Sequence, residues 1–219
     1  ASDVYKRQIY DYLTGSWVKG ENGNVALVMA VDEPNGKTEE LAKVKDVLGT
    51  FTTSYSTSGA SRSKNVANGC RLINGTTLYP GDTFSTYNTV KPFSTENGYE
   101  MAGSYLNGKV VDSIGGGICQ VSTTLYNAVL RAELEVTERH NHSMIVTYVD
   151  PSADAAIAES SGKDFVFVNN TDYPIYIDGH TADKKITFTI YGVETREKNR
   201  AVDYESEVIE KKVPEADQI

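Results

Sequence analysis

The chain has 219 residues with 21 basic and 30 acidic side chains, and its net charge of −9 argues against nucleic acid as a partner. Hydrophobic residues make up 39%, enough for one substantial core with smaller flanking pieces, and no apolar run is long enough to span a membrane. Two cysteines, Cys70 and Cys119, are too few for a disulfide scaffold, and nothing in the sequence asks for a cofactor.

In chain order, residues 1–8 show no pattern and 9–17 are ambiguous. Alternating apolar residues predict a strand over Asn24–Asp32, followed by the turn Pro34-Asn35-Gly36. Thr38 is a good N-cap, with Glu39 and Glu40 leading into a short helix over Leu41–Val47. Gly49–Tyr55 reads as a Thr-rich strand and Ser63–Leu72 as a helix carrying Cys70. Asn74-Gly75 marks a turn before a strand at Thr76–Tyr79, Pro80-Gly81-Asp82 a second turn, and Phe84–Asn88 a short extended piece. Residues around Met101 and from Ser104 to Val111 suggest a hairpin turning at Asn107-Gly108.

Residues 115–127 then read GGGICQVSTTLYN. Three successive glycines disfavour a helix or strand interior by up to about 1 kcal/mol each and suit a tight turn with close backbone approach. After them, Ile118, Val121, Leu125, Ala128, Val129 and Ala132 recur at helical spacing and form one apolar stripe. At about 100° per residue, Cys119 lies roughly 130° from the centre of that stripe. A cysteine in the first turn of a helix faces unpaired N–H groups and the positive end of the helix dipole, which favour thiolate. The opposing reading is a buried, inert thiol.

The run Glu138-Arg139-His140-Asn141-His142-Ser143 follows the helix and opens a β pattern over Met144–Val149. On a strand His140 and His142 would share one face and Arg139 would take the other, paired with Glu133 or Glu138. Further on, Asp164–Val168, Ile175–Asp178 and Ile186–Tyr191 predict three strands of an antiparallel meander. His180 falls in a polar turn. From Thr195 the chain becomes charged, with a weak strand pattern over Glu205–Val213.

The runs GGGICQVSTTLYNA, ERHNHS and the upstream PGDTFS resemble the VanW domain, a family named for an accessory protein of some vancomycin-resistance clusters. The resemblance spans about Leu48 to Thr195. It implies a bacterial cell-envelope protein, mostly of Gram-positives, on the extracellular face, with peptidoglycan or another wall component as partner. It does not by itself supply a mechanism. It further implies a division into residues 1–47, resembling the end of a peptidoglycan-binding domain, 48–195 as the VanW domain, and 196–219 as a charged tail or the start of a small β domain of G5 type. The chain does not begin with Met and shows no signal peptide, so a targeting segment is expected upstream, and a monomer is expected.

The expected fold is α+β, one Cys-led helix packed on an antiparallel sheet, in an order similar to papain-like and transglutaminase-like thiol enzymes. In such a site Cys119 is the nucleophile and His142 or His140 the base, with His142 favoured, while Asp154 or Asp164 orients the imidazole. Gly116, Gly117, Gln120 and Arg139 are candidates for oxyanion and substrate binding. The reaction would be acyl transfer or amide hydrolysis on peptidoglycan peptides. Two alternatives stand beside it. One is a non-catalytic wall-binding module with a packing cysteine. The other is zinc held by His140 and His142 with Cys119 and an acid.

Overall fold

A computed structural model describes residues 2–26, 36–106 and 109–210 of the chain. They fall into two compact units, 1–35 and 36–219. The first holds helix α1 (Ser2–Gly15), so the segment without sequence pattern is helical. The predicted Asn24–Asp32 strand lies largely outside the described residues, and residues 24–26 have no regular structure.

The second unit is α+β. Its elements are α2 (Thr38–Leu41), β1 (Asp46–Ser54), α3 (Ala60–Ile73), β2 (Thr76–Leu78), β3 (Thr83–Ser85), α4 (Thr86–Val90), β4 (Met101–Leu106), β5 (Lys109–Ile114), α5 (Ile118–Arg131), β6 (Glu135–Glu138), β7 (Val166–Val168), β8 (Ile175–Ala182) and β9 (Lys185–Gly192). Four antiparallel strands in the order β1-β9-β8-β2 form the main sheet. Along β8, Ile175, Ile177 and Gly179 are buried, and along β9, Ile186, Phe188 and Ile190. This is the two-residue alternation of strands with one face on a core. Helix α5 lies against β1 and β9, and α3 packs against β8 and α5. The whole apolar stripe of α5 is buried there.

Several local expectations give way to tertiary contacts. Helix α2 stops at Leu41 and is preceded by Lys37 rather than capped by Thr38, because pairing with β9 captures the chain from Asp46. Residues 86–90 are helical, not extended. Ser85 caps the turn by accepting from the Asn88 N–H, and Asp164 accepts from the Tyr87 N–H and the Ser85 hydroxyl. β7 leaves the predicted meander and joins β3 and β6 in a separate sheet. Buried Asn169 ends β7 by donating to the Leu78 and Tyr173 carbonyls, which turns the chain away before β8 begins. His180 lies within β8 rather than in a turn. Residues 205–210 have no regular structure, and 211–213 of the predicted strand lie outside the described residues.

Cys70 and Cys119 are both free. Cys70 sits in the core beside Gly179, and burial pushes its thiol up to about 12, so it is a packing residue.

At Gly49 β1 passes close against the backbone of α5. A Cβ there would meet the Ala128 oxygen at 2.3 Å and the Ala132 nitrogen at 2.4 Å, both main-chain atoms that cannot rotate aside. Gly49→Ala should therefore destabilise the domain by about 1–3 kcal/mol or more. Urea unfolding checks this, and an unchanged midpoint would show that α5 is not seated against β1.

Candidate functional site

Gly117 leads into α5 with φ +105°, a backbone angle open to glycine, and Cys119 is the second helical residue. The sequence alternates apolar and small polar residues here, and the two sets do different work. Apolar residues bury into the sheet. Gln120 and Thr124 reach β1: the Gln120 amide donates to Thr53 Oγ1 at 3.0 Å and the Ser54 carbonyl at 2.9 Å, and the Thr53 and Thr124 hydroxyls bond at 2.7 Å. On the other flank Ser122, Thr123 and Asn127 hold the extended segment 153–157. Ser122 donates to the Ala155 carbonyl at 2.6 Å, Thr123 Oγ1 accepts from the Ala155 N–H at 3.0 Å, and the Asn127 amide donates to the Ala153 carbonyl at 2.8 Å.

That segment presents Asp154 to the histidine loop. Asp154 Oδ2 accepts from the His142 main-chain N–H at 2.7 Å and meets its Nδ1 at 2.5 Å. Oδ1 accepts from Arg139 at 3.1 Å. Arg139 also donates to the Ser152 and Asp154 carbonyls and stacks over Tyr126, 5.6 Å from the ring centre. The His142 and Asp154 side chains are 8% and 9% exposed. Burial alone would raise the Asp154 carboxyl, but the His142 hydrogen bonds and the Arg139 charge outweigh it and hold the group below the usual carboxylate range.

The loop is not the predicted strand. Residues 139–156 form no ladder, and the Arg139 side chain and the His142 main-chain N–H donate to Asp154 and neighbouring carbonyls. His140 and His142 accordingly part company. His142 turns to Asp154, while half-exposed His140 bonds Glu138 at 3.0 Å. Arg139 pairs with Asp154 and not with Glu133 or Glu138. Among the described residues no group of three or more His, Cys, Asp or Glu could hold a metal, so the zinc reading has no ligand set.

Cys119 and His142 line one groove of about 1340 Å³. Its walls come from the end of β1 and the start of α3, the β4–β5 hairpin, the N-terminus of α5, and Tyr148 and Ile157. Gly117 and Gln120 also line it. Asp154 stands behind His142, and Arg139 behind Asp154. Gly116 is a packing position: its carbonyl accepts from Asn65, and a Cβ would strike the Ala102 oxygen at 2.3 Å. Asp164, the alternative orienting acid, is tied to Ser85 and Tyr87.

Half-buried Cys119 donates its S–H to the Ile157 carbonyl at 3.3 Å. Burial pushes the thiol up, and the Ile157 main chain and the Lys163 and Arg62 charges offset this only in part. Of the two readings of the sequence, a thiolate favoured by the helix start and a buried thiol, the burial and the Ile157 hydrogen bond fit the protonated thiol. Beside it, the N–H groups of Ile118 and Gln120 bond the Gly115 and Gly117 carbonyls. The Cys119 N–H has no main-chain partner among the described residues. Arg62 and Tyr148 are groove residues outside the sequence-derived set. The only cue to Arg62 is a lone arginine in a Ser- and Gly-rich stretch opening a helix.

Fold and site together define an α+β protein with a cysteine–histidine groove. The chain belongs to the VanW-like family, whose model, described as VanW like protein, matches residues 61–191 and so takes in Cys119, His142 and Asp154. It is 37% identical over 160 residues to the Bacillus subtilis (strain 168) protein called Uncharacterized protein YoaR, covering 72% of this chain and 52% of that one. It is 28% identical over 133 residues to Vancomycin B-type resistance protein VanW of Enterococcus faecalis (strain ATCC 700802 / V583), covering 58% of this chain and 48% of that one. The chain thus spans about half the length of each of these curated relatives. No solved structure is a significant match.

Asp154 links the site to stability. Its folded-state carboxyl titrates below the unfolded value of about 3.9, so its contribution is present above that pH and lost as pH falls toward the folded value. Asp154→Asn should cost about 2 kcal/mol at pH 7 and flatten the acid limb of the stability–pH curve. Chemical denaturation between pH 3 and 7 tests this. An acid limb unchanged in the variant would show that the carboxylate is not held by Arg139 and His142.

Proposed function

We propose that the groove is the active site of a thiol-dependent enzyme that transfers or hydrolyses acyl groups of peptidoglycan peptides at the extracellular face of the cell envelope. The observation that carries this is the His142–Asp154 pair bordering the same groove as Cys119. Asp154 bonds Nδ1 and so fixes the tautomer and orientation of the ring, which makes Nε2 its basic nitrogen. The thiol proton passes to Nε2 as sulfur bonds the substrate carbonyl carbon, and the carbonyl oxygen takes the electron pair. The Cys119 N–H faces that developing charge. The carbonyl re-forms, the C–N bond breaks, and the imidazolium returns the proton to the leaving amine. Water or an acceptor amine then releases the acyl group and restores the thiol. The hydrogen bond to the Ile157 carbonyl holds the proton on sulfur in the resting groove, so proton removal accompanies attack. The name of the Enterococcus relative ties the family to vancomycin resistance, and thereby to the wall.

Cys119→Ala should abolish release of amine from muropeptide stem peptides, and Asp154→Asn should lower kcat by 10²-fold or more, read by mass spectrometry of products. Unchanged product formation by Cys119→Ala would sink the proposal.

One observation favours a non-catalytic wall-binding module instead, namely the S–H donated to Ile157. Labelling by iodoacetamide at pH 7, resolved by site, separates the two. An imidazole-assisted thiol reacts faster than Cys119 in His142→Ala protein. A packing thiol reacts at the same slow rate in both.

A further inference from the structure

The N-terminal turn of α3 places Arg62 across the start of α5. Gly117 makes room for it: a Cβ there would lie 2.8 Å from Arg62 Cγ and 3.3 Å from its Nε. The guanidinium donates to the Ser58 hydroxyl at 2.6 Å and to the Gln120 amide oxygen at 2.9 Å. Gln120 cannot flip, since both hydrogens of its amide go to Thr53 and Ser54, so its oxygen is fixed toward Arg62. The arginine is therefore positioned rigidly, by two neutral acceptors.

Its charge is left unmatched. No carboxylate pairs with Arg62 among the described residues, in a chain that carries 30 acidic side chains. The one carboxylate among the described residues lining the groove, Glu159, is exposed. Arg62 is the one Lys or Arg among the described residues lining the groove. A half-buried guanidinium held by neutral oxygens, with two of its five N–H groups engaged, suits an incoming anion. One guanidinium matches a planar, singly charged carboxylate. A phosphate's second charge would find no second Lys or Arg among the described residues of these walls.

We propose that Arg62 forms a carboxylate subsite, so that the groove takes peptides whose free carboxylate lies next to the amide that Cys119 attacks. This rests on the reading of the groove as a thiol active site. It narrows the substrate to peptides with an unblocked terminal carboxyl group, and gives Arg62 the role of specificity determinant.

Alkylation of Cys119 by iodoacetate and by iodoacetamide tests it without turnover. In each reaction sulfur displaces iodide, and the reagents differ mainly in the carboxylate. The iodoacetate-to-iodoacetamide rate ratio at Cys119, resolved by peptide mass spectrometry, should be about tenfold higher in folded than in urea-unfolded protein. It should fall by about the same factor in Arg62→Gln, recover in Arg62→Lys, and shrink with added NaCl. Circular dichroism confirms that the variants are folded. A ratio indifferent to Arg62→Gln overturns the subsite. If neither reagent reaches Cys119, calorimetry on Cys119→Ala protein decides, using an N-acetylated Lys-D-Ala-D-Ala peptide and its C-terminal amide. Tighter binding of the free acid, lost in the Cys119→Ala, Arg62→Gln double variant, supports the subsite. Equal or absent binding overturns it. The charge preference without turnover would leave the subsite standing and remove the enzyme, and turnover without the preference would do the reverse.

Discussion

The site depends on the hydrogen bonds between the polar flank of α5 and the main chain of 153–157. Without a β partner, that segment would bury carbonyl and N–H groups at a cost of about 1–3 kcal/mol each. Ser122, Thr123 and Asn127 satisfy them. The helix thus serves as the missing neighbouring strand, and the register of the segment follows the helical spacing of three side chains. Asp154 is aimed by that register, and His142 by Asp154.

The main sheet contributes indirectly. Its large buried side chains on β9, Ile186, Phe188 and Ile190, belong to the platform on which α5 rests. Gln120 and Thr124 then lock the helix to the end of β1. One helix is held on opposite flanks by unlike partners, a regular strand and an irregular segment, and the groove opens at its N-terminus. The hydroxyl and amide residues that give this stretch its distinctive composition are mostly engaged in fixing backbone. The chemistry is left to very few atoms.

What could be read in the sequence follows from interaction range. The α5 stripe, the glycine entry and the position of Cys119 in the first turn are local, set by helical period and by glycine's freedom at positive φ. The pairing of β8 with β9 is likewise local. The conformation of 139–156 was not legible, because apolar residues at Met144 to Val149 carry a strand-like pattern whatever takes up their hydrogen bonds. The loop is fixed instead at Asp154, on a segment that α5 side chains hold, and that lies outside the window that carries the pattern. The departure of β7 to another sheet turns on a single buried amide, Asn169. Arg62 is hidden for the same reason: what marks it is that no carboxylate among the described residues pairs with it, which is a property of the fold and not of its neighbours in sequence.

The fixed amide of Gln120 also sets the groove's electrostatic sign. Exchange of its nitrogen for oxygen, as in deamidation, would leave the shape almost unaltered. The new carboxylate would turn one oxygen against the Ser54 carbonyl and the other against Arg62. The first contact is repulsive and the second cancels the lone positive charge. A one-atom ageing event at the residue beside the thiol would thus loosen the helix and silence the cation together.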